Sequence, residues 1–335
     1  MKSAEEVSTL WLSNSRVSPL GNGHIHDTFL LEDELSETKL VMQRINRQVF
    51  SQPEILMSQT ARVLAHLDGV DGFEVPRIVE SRDGQVLEFQ NDCYWRAWTF
   101  IKGGRTVDPI KRTKQAENAA EAFGLFQGAM EKIDLKDWKE PIPGYQQLSH
   151  YLNAFEEVKQ KAPSELLDTI QSNQWLARRF EAKNTVVHGD CKSNNVLFDE
   201  VDDRVKAIID LDTVMPGHWA WDFGDFVRSL WVGRQAVDLE LFRCSMQGFL
   251  RGAPPRNCSP EEFVEAPLYI SFMLGVRFLT DHLQGDRYFK ISLRGDNLVR
   301  AREQFMLFEN CLSVRESLLI LAAQVLEENR GSRDC

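Results

Sequence analysis

Three polar side chains stand at the ends of short apolar runs near the middle of the chain, a spacing that suits chemistry on a charged substrate. Asp190 follows one apolar pair, Asn195 precedes a second run, and Asp210 directly ends a third. The acidic residues 200–203 separate the second run from the third, a pattern that predicts two paired strands joined by a turn. The polar groups therefore stand where strands end, and a rigid scaffold can present them there.

This layout fits phosphoryl transfer, which needs positioning and charge neutralisation more than covalent help from the protein. One carboxylate would accept the proton of an attacking hydroxyl, while an amide oxygen and a second carboxylate would hold Mg²⁺ against the phosphates. Asp190, Asn195 and Asp210 fit those roles in that order, because Mg²⁺ takes a few hard oxygen ligands besides water and phosphate oxygens. Each residue alone is more typical of a turn, but the joint spacing favours catalysis.

The composition is that of an ordinary globular protein and sets the broad class. The chain has 335 residues, 43% hydrophobic and 27% charged, enough for one large domain or two lobes. A formal net charge of -11 disfavours nucleic acid or an anionic membrane as a partner, and no obligate protein partner is evident.

The cysteines and the N-terminal residues predict where the chain works. Six cysteines lack C-x-x-C spacing, and the N-terminal residues lack an apolar secretory stretch, so we expect a reducing, cytoplasmic setting without zinc or a disulfide framework. The longest apolar run, residues 266–276, is too short to span a bilayer and suits a buried helix.

The H-x-D-x-x-x-x-N spacing that ends at Asn195, followed by the hairpin and Asp210, resembles a known pair of loops. They are the catalytic and metal-binding loops of the aminoglycoside phosphotransferase and choline kinase-like superfamily, relatives of the protein kinases. The resemblance implies Asp190 as the base, Asn195 and Asp210 as Mg²⁺ ligands, and His188 as a residue that orients the loop from the core. Asp212 is a second acid nearby and stays open as a further ligand.

The triplet Asp222-Phe223-Gly224 repeats the metal motif of protein kinases, but it does not follow the hairpin strand, whereas Asp210 does. No Ala-Pro-Glu comes after it. We therefore interpret Asp222 as a structural acceptor at the start of a helix. The pattern favours a small-molecule kinase over a protein kinase.

The elements upstream resemble the nucleotide-covering hairpin of a kinase. A glycine-containing break at residues 21–24 comes before predicted strands at 28–31 and 39–45, and Gly23 is a candidate nucleotide contact. No third glycine completes the dinucleotide pattern. Kinases usually carry a lysine on the third strand; here Arg44 stands at about that place and can bind phosphate. The alternatives are an exposed edge-strand arginine or an alignment displaced by one residue.

A predicted strand over residues 94–100 runs into Gly103 and Gly104, which resembles the hinge between kinase lobes. Adenine would bond to backbone groups there, and Thr99 and Ile101 are the candidate contacts.

Together the elements predict an α+β, bilobal, protein-kinase-like fold. Residues 1–101 would form a small, mostly antiparallel N-lobe, and residues 102–335 a larger, mainly helical C-lobe with the catalytic and acceptor sites. The first 15 residues are predicted as a helix, and Ser51 with Glu54 matches a capping box at the start of another.

Several segments beyond the catalytic loop are similar to those of the N-acetylhexosamine 1-kinases: GNGHIHDTF, VMQRINRQVFSQPEILM, DTVMPG with WDFGD, and RFLTDHLQGDRYFK. This resemblance implies ATP, Mg²⁺ and the anomeric hydroxyl of an N-acetylhexosamine or related sugar as acceptor. It implies that Arg277 and Tyr288 contact the sugar, and that His24 contacts substrate or phosphate. Alternatively, Arg277 is an arginine that extends from a core helix toward solvent, and Tyr288 is a half-buried loop tyrosine.

Two other functions stay open. A kinase of another small alcohol, such as an amino alcohol or aminoglycoside, would want clustered acids in its pocket, and the sequence offers scattered ones in Asp281, Asp286 and Glu303. A nucleotide-binding kinase fold without turnover is favoured slightly by Arg44 and disfavoured by the intact Asp190 and its partners.

Three side chains near the loop keep two interpretations each. Lys192 would aid the transferred phosphoryl group or be a solvated loop lysine. Trp219 and Trp221 would line the sugar pocket or belong to the core.

Overall fold

A computed structural model describes residues 2–21, 25–131, 133–136, 138–252 and 258–331. A small sheet is followed by a larger, mainly helical part. The strands in these residues are β1 (Ser15–Pro19), β2 (Asp27–Asp33), β3 (Lys39–Arg44), β4 (Ile78–Val79), β5 (Glu88–Gln90), β6 (Cys93–Thr99), β7 (Gly104–Thr106), β8 (Thr185–Val187), β9 (Val196–Asp199), β10 (Val205–Ile208) and β11 (Met215–Gly217). The α-helices are α1 (Lys2–Ser8), α2 (Pro53–Leu67), α3 (Thr113–Met130), α4 (Leu148–Glu156), α5 (Ser164–Asn173), α6 (Trp219–Trp231), α7 (Leu239–Gly252), α8 (Pro260–Gln284), α9 (Asp296–Ser313) and α10 (Arg315–Gly331).

The N-terminal sheet has one apolar face, and its other face, called the polar face below, carries polar as well as apolar side chains. Within the described residues its strands run in the order β1-β2-β3-β6-β4, with β5 beside β6, and all pairings are antiparallel. Because side chains alternate along a strand, Met42 and Trp95 share one face and pack with Val7 of α1. Gln43 and Arg96, which are paired across β3 and β6, lie on the other face, toward the second part of the chain.

The helix predicted over the first 15 residues is wrong beyond Ser8. Helix α1 ends there, and the chain enters β1 at Ser15. Trp11 explains the turn, because it is buried under the sheet and its Nε1 donates to the carbonyl of Val79 at 2.9 Å. Tertiary packing thus overrides local helix propensity.

Helix α2 starts without the predicted capping box. Gln52 is its N-cap residue, and no side chain caps the helix there. Pro53 stands at the first helical position, where a missing N–H costs no hydrogen bond. Ser51 and Glu54 therefore do not form the expected reciprocal pair.

The second part of the chain contains the predicted catalytic hairpin, between α5 and α6. Strands β9 and β10 are antiparallel, β7 pairs with β9, and β8 pairs with β11. The chain leaves the N-terminal sheet at Thr99, and β7 already belongs to the second part. Residues 100–103 are therefore the short connection between the two.

Helix α8 forms the centre of the helical core, where it packs against α6 and α9. Its start is fixed by a reciprocal capping box between Ser259 and Glu262. Among the described residues it is the one helix long and apolar enough to cross a membrane, but 89% of that stretch is buried inside the protein. The predicted buried helix at residues 266–276 lies within it.

The crossing of α3 and α7 depends on a missing side chain. A Cβ at Gly248 would lie 2.0 Å from the backbone oxygen of Glu117, so Gly248→Ala should push the helices apart. We expect a loss of about 1–3 kcal/mol in the free energy of unfolding, measured by urea denaturation. Glu240→Ala, at an exposed position of the same helix, should change it by less than about 0.5 kcal/mol. Equal stability of the two variants would contradict the close approach.

Candidate active site

Asp222 of α6 anchors the loop between β8 and β9. Its Oδ2 accepts hydrogen bonds from the backbone N–H of His188 (2.9 Å) and from Nε2 of Gln127 (2.6 Å), and its Oδ1 accepts one from the N–H of Gly189 (2.8 Å). Both carboxylate oxygens are occupied. Asp222 is therefore the structural acceptor that the sequence predicts.

Gly189 and His188 join this loop to the one that follows β10. Gly189 has a left-handed backbone (φ 80°), and a Cβ there would lie 2.6 Å from the backbone oxygen of Thr213, so no larger residue fits. Nε2 of His188 donates to the carbonyl of Ile209 (3.1 Å), and its Nδ1 accepts from the N–H of Asp190 (3.3 Å). The hydroxyl of Thr213 donates to the carbonyl of His188 (2.9 Å). The two loops are therefore held as one unit.

Asp190 is an ionised carboxylate held on both sides. Nζ of Lys192 lies 2.8 Å from its Oδ1, and Nδ2 of Asn195 donates to its Oδ2 at 2.9 Å. Burial acts to raise the pKa of Asp190, but Lys192, His188 and Asn195 lower it below its usual value. The group can therefore accept a proton at neutral pH and has a fixed direction.

Asn195 and Asp210 keep oxygens without protein partners. The amide nitrogen of Asn195 is used by Asp190, and no described residue donates to its Oδ1. Asp210 has a left-handed backbone (φ 64°), and no described side chain pairs with its carboxylate. Burial, with the nearby charges of Asp212 and Asp190, raises the pKa of Asp210. A bound cation would stabilise such a carboxylate.

These two side chains suit a cation that substrate oxygens help to bind. Among the described residues, no three His, Cys, Asp or Glu side chains form a metal site by themselves. Two oxygen ligands suffice for Mg²⁺ when phosphate oxygens and water complete its shell. The oxygen donors fit Mg²⁺ and not zinc, which prefers nitrogen and sulfur.

Asp212 is bound by the N-terminal sheet and is not free to hold a metal. Nη1 of Arg96 donates to its Oδ1 at 2.7 Å, Nη2 of Arg96 donates to its Oδ2, and Nε2 of His26 donates to the same Oδ2 at 2.7 Å. Nδ1 of His26 accepts from the N–H of Asn46 (3.1 Å), which fixes the proton on Nε2. Burial acts to raise the pKa of Asp212, but Arg96 and His26 lower it far below its usual range.

Arg44 does not join this cluster. It lies on the apolar face of the sheet, paired with Asp27 and 5.9 Å from the ring centre of Trp95. Gln43 lies on the polar face, where its Oε1 accepts two hydrogen bonds from Arg96. Gln43, and not Arg44, therefore lies on the face of the sheet that carries Arg96. The sequence did offer a signal for Arg96, a single charge within the apolar strand CYWRAWT.

The two residues predicted to contact adenine at the hinge differ in whether their backbone groups are already hydrogen-bonded. The N–H of Thr99 donates to the carbonyl of Arg77, and its Oγ1 accepts from the N–H of Arg77, both at 2.9 Å. Ile101 has no backbone hydrogen bond to a described residue, so its peptide groups are free to bond a base. Gly23 and His24 lie outside the described residues.

Arg277 lies inside a ring of aromatic side chains. Its guanidinium carbon is 4.7 Å from the ring centre of Tyr151, 5.0 Å from Tyr145, 5.4 Å from Phe289 and 5.8 Å from Tyr288. Arg277 is 7% exposed, and no described carboxylate forms an ion pair with it. Burial acts to lower its pKa, but the neighbouring phenols raise it, so the guanidinium stays charged.

Tyr145 places this aromatic cluster near Asp190, because Nε2 of the next residue, Gln146, donates to the carbonyl of Gly189 at 2.8 Å. Burial and the charge of Asp190 raise the pKa of Tyr145, and the charge of Arg277 lowers it. Both charged groups are therefore close to the same phenol. Tyr288, at 46% exposed, lies at the solvent side of the cluster, so the structure brings Asp190, Arg277 and Tyr288 into one region.

Trp219 and Trp221 belong to the core. The ring centre of Trp219 lies 4.9 Å from that of Phe263, and both tryptophans are buried. The pocket-wall alternative does not fit this packing.

The two-part fold is kinase-like, and solved structures of low sequence identity share it. The chain is similar to a microcompartment-associated aminopropanol kinase (16% identity, TM-score 0.71, covering 94% of this chain and 97% of that chain). It is also similar to an amicoumacin kinase in complex with AMP-PNP, Ca²⁺ and Ami (14% identity, TM-score 0.64, covering 91% of this chain and 92% of that chain). A third similar structure is choline kinase LicA from Streptococcus pneumoniae (13% identity, TM-score 0.59, covering 91% of this chain and 98% of that chain). The predicted kinase-like α+β fold is confirmed.

Residues 16–252 match the phosphotransferase enzyme family APH. The match covers more than half of the chain, and the chain belongs to this family. It is a phosphotransferase with a hydroxyl group as acceptor.

Arg96 and Arg44 allow a matched test of the buried ion pair. Arg96→Met leaves the buried Asp212 with one partner, and breaking such a pair costs about 3–5 kcal/mol of unfolding free energy. Arg44→Met removes an exposed pair worth about 1 kcal/mol or less. Urea denaturation of both variants measures the difference. Similar losses in the two would contradict the role given to Arg96.

Proposed function

We propose that the chain is an ATP- and Mg²⁺-dependent kinase that transfers the γ-phosphoryl group to a sugar hydroxyl, with the anomeric hydroxyl of an N-acetylhexosamine as acceptor. The observation that carries this proposal is the way three neighbouring aspartates differ in their pairing with cationic side chains. Asp190 is paired with Lys192, Asp212 is paired with Arg96, and Asp210 has no cationic partner among the described residues. This charge arrangement suits one base and one divalent cation.

In the proposed reaction, Asp190 accepts the proton of the acceptor hydroxyl while the new O–P bond forms and ADP leaves. Asn195 fixes the direction of the carboxylate through its amide group. Burial acts to lower the pKa of Lys192, but Asp190 raises it, so the ammonium stays charged beside the transferred group. A positioned base of this kind contributes about 10²–10⁴-fold to the rate.

The nucleotide would lie between the two parts of the chain, with adenine against the free peptide groups of Ile101. Mg²⁺, bound through Oδ1 of Asn195 and the carboxylate of Asp210, would neutralise charge on the β- and γ-phosphates. The similar amicoumacin kinase was solved with AMP-PNP and Ca²⁺, which supports an adenine nucleotide with a divalent cation. Arg44 has no part in this proposal, because it lies on the opposite face of the sheet.

Arg277 favours a neutral acceptor that carries a hydrogen-bond acceptor such as a carbonyl oxygen. A buried guanidinium without a carboxylate partner would repel a cationic amino alcohol or aminoglycoside. Tyr145 accepts a hydrogen bond from the guanidinium, and the other N–H groups of the guanidinium can donate to a substrate oxygen. The acetamido oxygen of an N-acetylhexosamine supplies one. Tyr288 can stack on a sugar ring and bond a hydroxyl. The alternative, an amino alcohol kinase, predicts faster turnover of choline or ethanolamine than of N-acetylhexosamines.

Asp190→Asn tests the proposed base. The substitution keeps the shape of the side chain but removes its basicity, so we expect kcat to fall by about 10²–10⁴-fold with nucleotide affinity nearly unchanged. ADP release with an N-acetylhexosamine measures kcat, and calorimetry measures Mg·ATP binding.

Asp202→Asn is the control for that experiment, since Asp202 lies in the hairpin turn and bonds Arg204. Its kcat should stay within twofold of the wild type, an ordinary result for a surface change. Wild-type turnover in Asp190→Asn would remove Asp190 as the base.

Arg277→Met tests the acceptor assignment. We expect the KM for N-acetylhexosamine to rise about tenfold or more, because the acetamido oxygen loses a charged donor, while the KM for Mg·ATP stays constant. The same variant should not lose activity toward choline or ethanolamine, for which the wild type should show little turnover.

Arg294→Met provides the matched control, because Arg294 is an exposed arginine on the loop that follows α8. It should leave both KM values within twofold of the wild type. A wild type that turns over choline, ethanolamine or an aminoglycoside in preference to N-acetylhexosamines would overturn the sugar assignment and support the amino alcohol alternative.

A further inference from the structure

A buried carboxylate beyond the catalytic loops gathers donors from a single loop. Oδ1 of Asp281 accepts hydrogen bonds from the backbone N–H groups of Arg287 (2.9 Å) and Tyr288 (2.8 Å). Its Oδ2 accepts from the N–H of Phe289 (3.1 Å) and from Nδ2 of Asn297 (2.9 Å). Three consecutive peptide groups and one side-chain amide thus converge on one carboxylate, which fixes the path of residues 287–289.

Asp281 lies close to the aromatic side chains that surround Arg277. Asp281 lies on α8 one turn after Arg277, so the two side chains lie on the same side of the helix. The anchored loop folds back over that turn, and the rings of Tyr288 and Phe289 come within 5.8 Å and 5.4 Å of the Arg277 guanidinium. The ring centres of Phe289 and Phe278 are 4.5 Å apart.

A second set of contacts ties the loop to α9. Nδ2 of Asn297 also donates to Oδ1 of Asp286 at 2.9 Å, and Arg300 donates to the carbonyl of Lys290 at 3.0 Å and to Oδ1 of Asn297 at 2.9 Å. Asp286 has a left-handed backbone (φ 56°), a conformation that such surroundings must stabilise. The loop is therefore shaped before any ligand binds.

We propose that Asp281 is a positioning residue for the acceptor: it holds residues 287–289 so that Tyr288 and Phe289 complete the pocket around Arg277. This inference rests on the proposed function, since it assigns the aromatic cluster to acceptor binding. A loop shaped in advance lowers the entropy lost on binding and so increases acceptor affinity. The carboxylate is occupied by three backbone donors and the amide of Asn297, so it does not serve as a counter-ion for a cationic acceptor.

Asp281→Asn tests the inference. The amide group keeps one acceptor oxygen and turns an N–H group toward backbone donors, so the loop should loosen. We expect the KM for the best acceptor of the wild type to rise about tenfold, with the KM for Mg·ATP unchanged within twofold. A fall in stability alone would not separate the two Michaelis constants. Measurements belong well below the melting temperature of the variant.

Hydrogen exchange gives a readout that does not depend on turnover. The amides of residues 287–289 should be protected in the wild type and lose protection in Asp281→Asn, while the amides of β9 should keep theirs. Lost protection with an unchanged acceptor KM would overturn the inference and leave the proposed function standing. A wild type without turnover on any acceptor would remove the proposed function, and the inference with it.

Two further variants complete the design. Glu303→Gln removes one exposed carboxylate from α9 and should leave both Michaelis constants unchanged. Asn297→Ala removes one of the four donors, and it should raise the acceptor KM by a smaller factor even if Asp281→Asn does not fold. In a Tyr288→Ala background, Asp281→Asn should raise the acceptor KM by a smaller factor than it does alone, because part of its effect acts through Tyr288. Full additivity, or an unchanged acceptor KM in Asn297→Ala, would contradict the assignment.

Discussion

The buried contact between Asp212 and Arg96 is the interaction on which the catalytic geometry depends. Asp212 lies in the loop after β10, and Arg96 and His26 reach it from the N-terminal sheet. An unpaired charge at this depth is strongly destabilising, so the sheet and the loop keep one relative position. Asp210 stands two residues before Asp212, and its left-handed backbone is set by the same turn. The contact therefore fixes the place of the free carboxylate and, by occupying its neighbour, leaves only that carboxylate for a cation.

The sequence predicts the parts of the site whose partners are close along the chain. Asp190 and Asn195 bond each other across five residues, and the acidic turn makes the β9–β10 hairpin visible as a pattern. Arg96 and Asp212 are 116 residues apart, and no local pattern pairs them. Tyr145 and Tyr151 join Arg277 from a similarly distant segment. Such contacts follow from the way helices and sheet pack, which periodicity does not specify.

Arg44 shows a second limit of prediction from the sequence, which comes from strand geometry. A shift of one residue along a strand moves every side chain to the other face, so a single strand read alone cannot decide between Gln43 and Arg44. The pairing with β6 decides it, because Gln43 lies opposite Arg96 and Arg44 lies opposite Trp95. The end of α1 has a similar cause, since burial of Trp11 acts across the sheet. Both outcomes depend on neighbours that the local sequence does not contain.

Helix α8 separates two tasks. It packs against α6, whose Asp222 holds the catalytic loop, while its C-terminal turn carries Arg277 and Asp281 and continues into the aromatic loop. Inherited changes beyond Arg277 would alter the shape of the proposed acceptor-facing wall without disturbing the loops that hold Asp190 and Asp210. Divergence of substrate repertoire in this lineage would therefore be concentrated between the end of α8 and the start of α9, with the loops around β8 and β10 preserved.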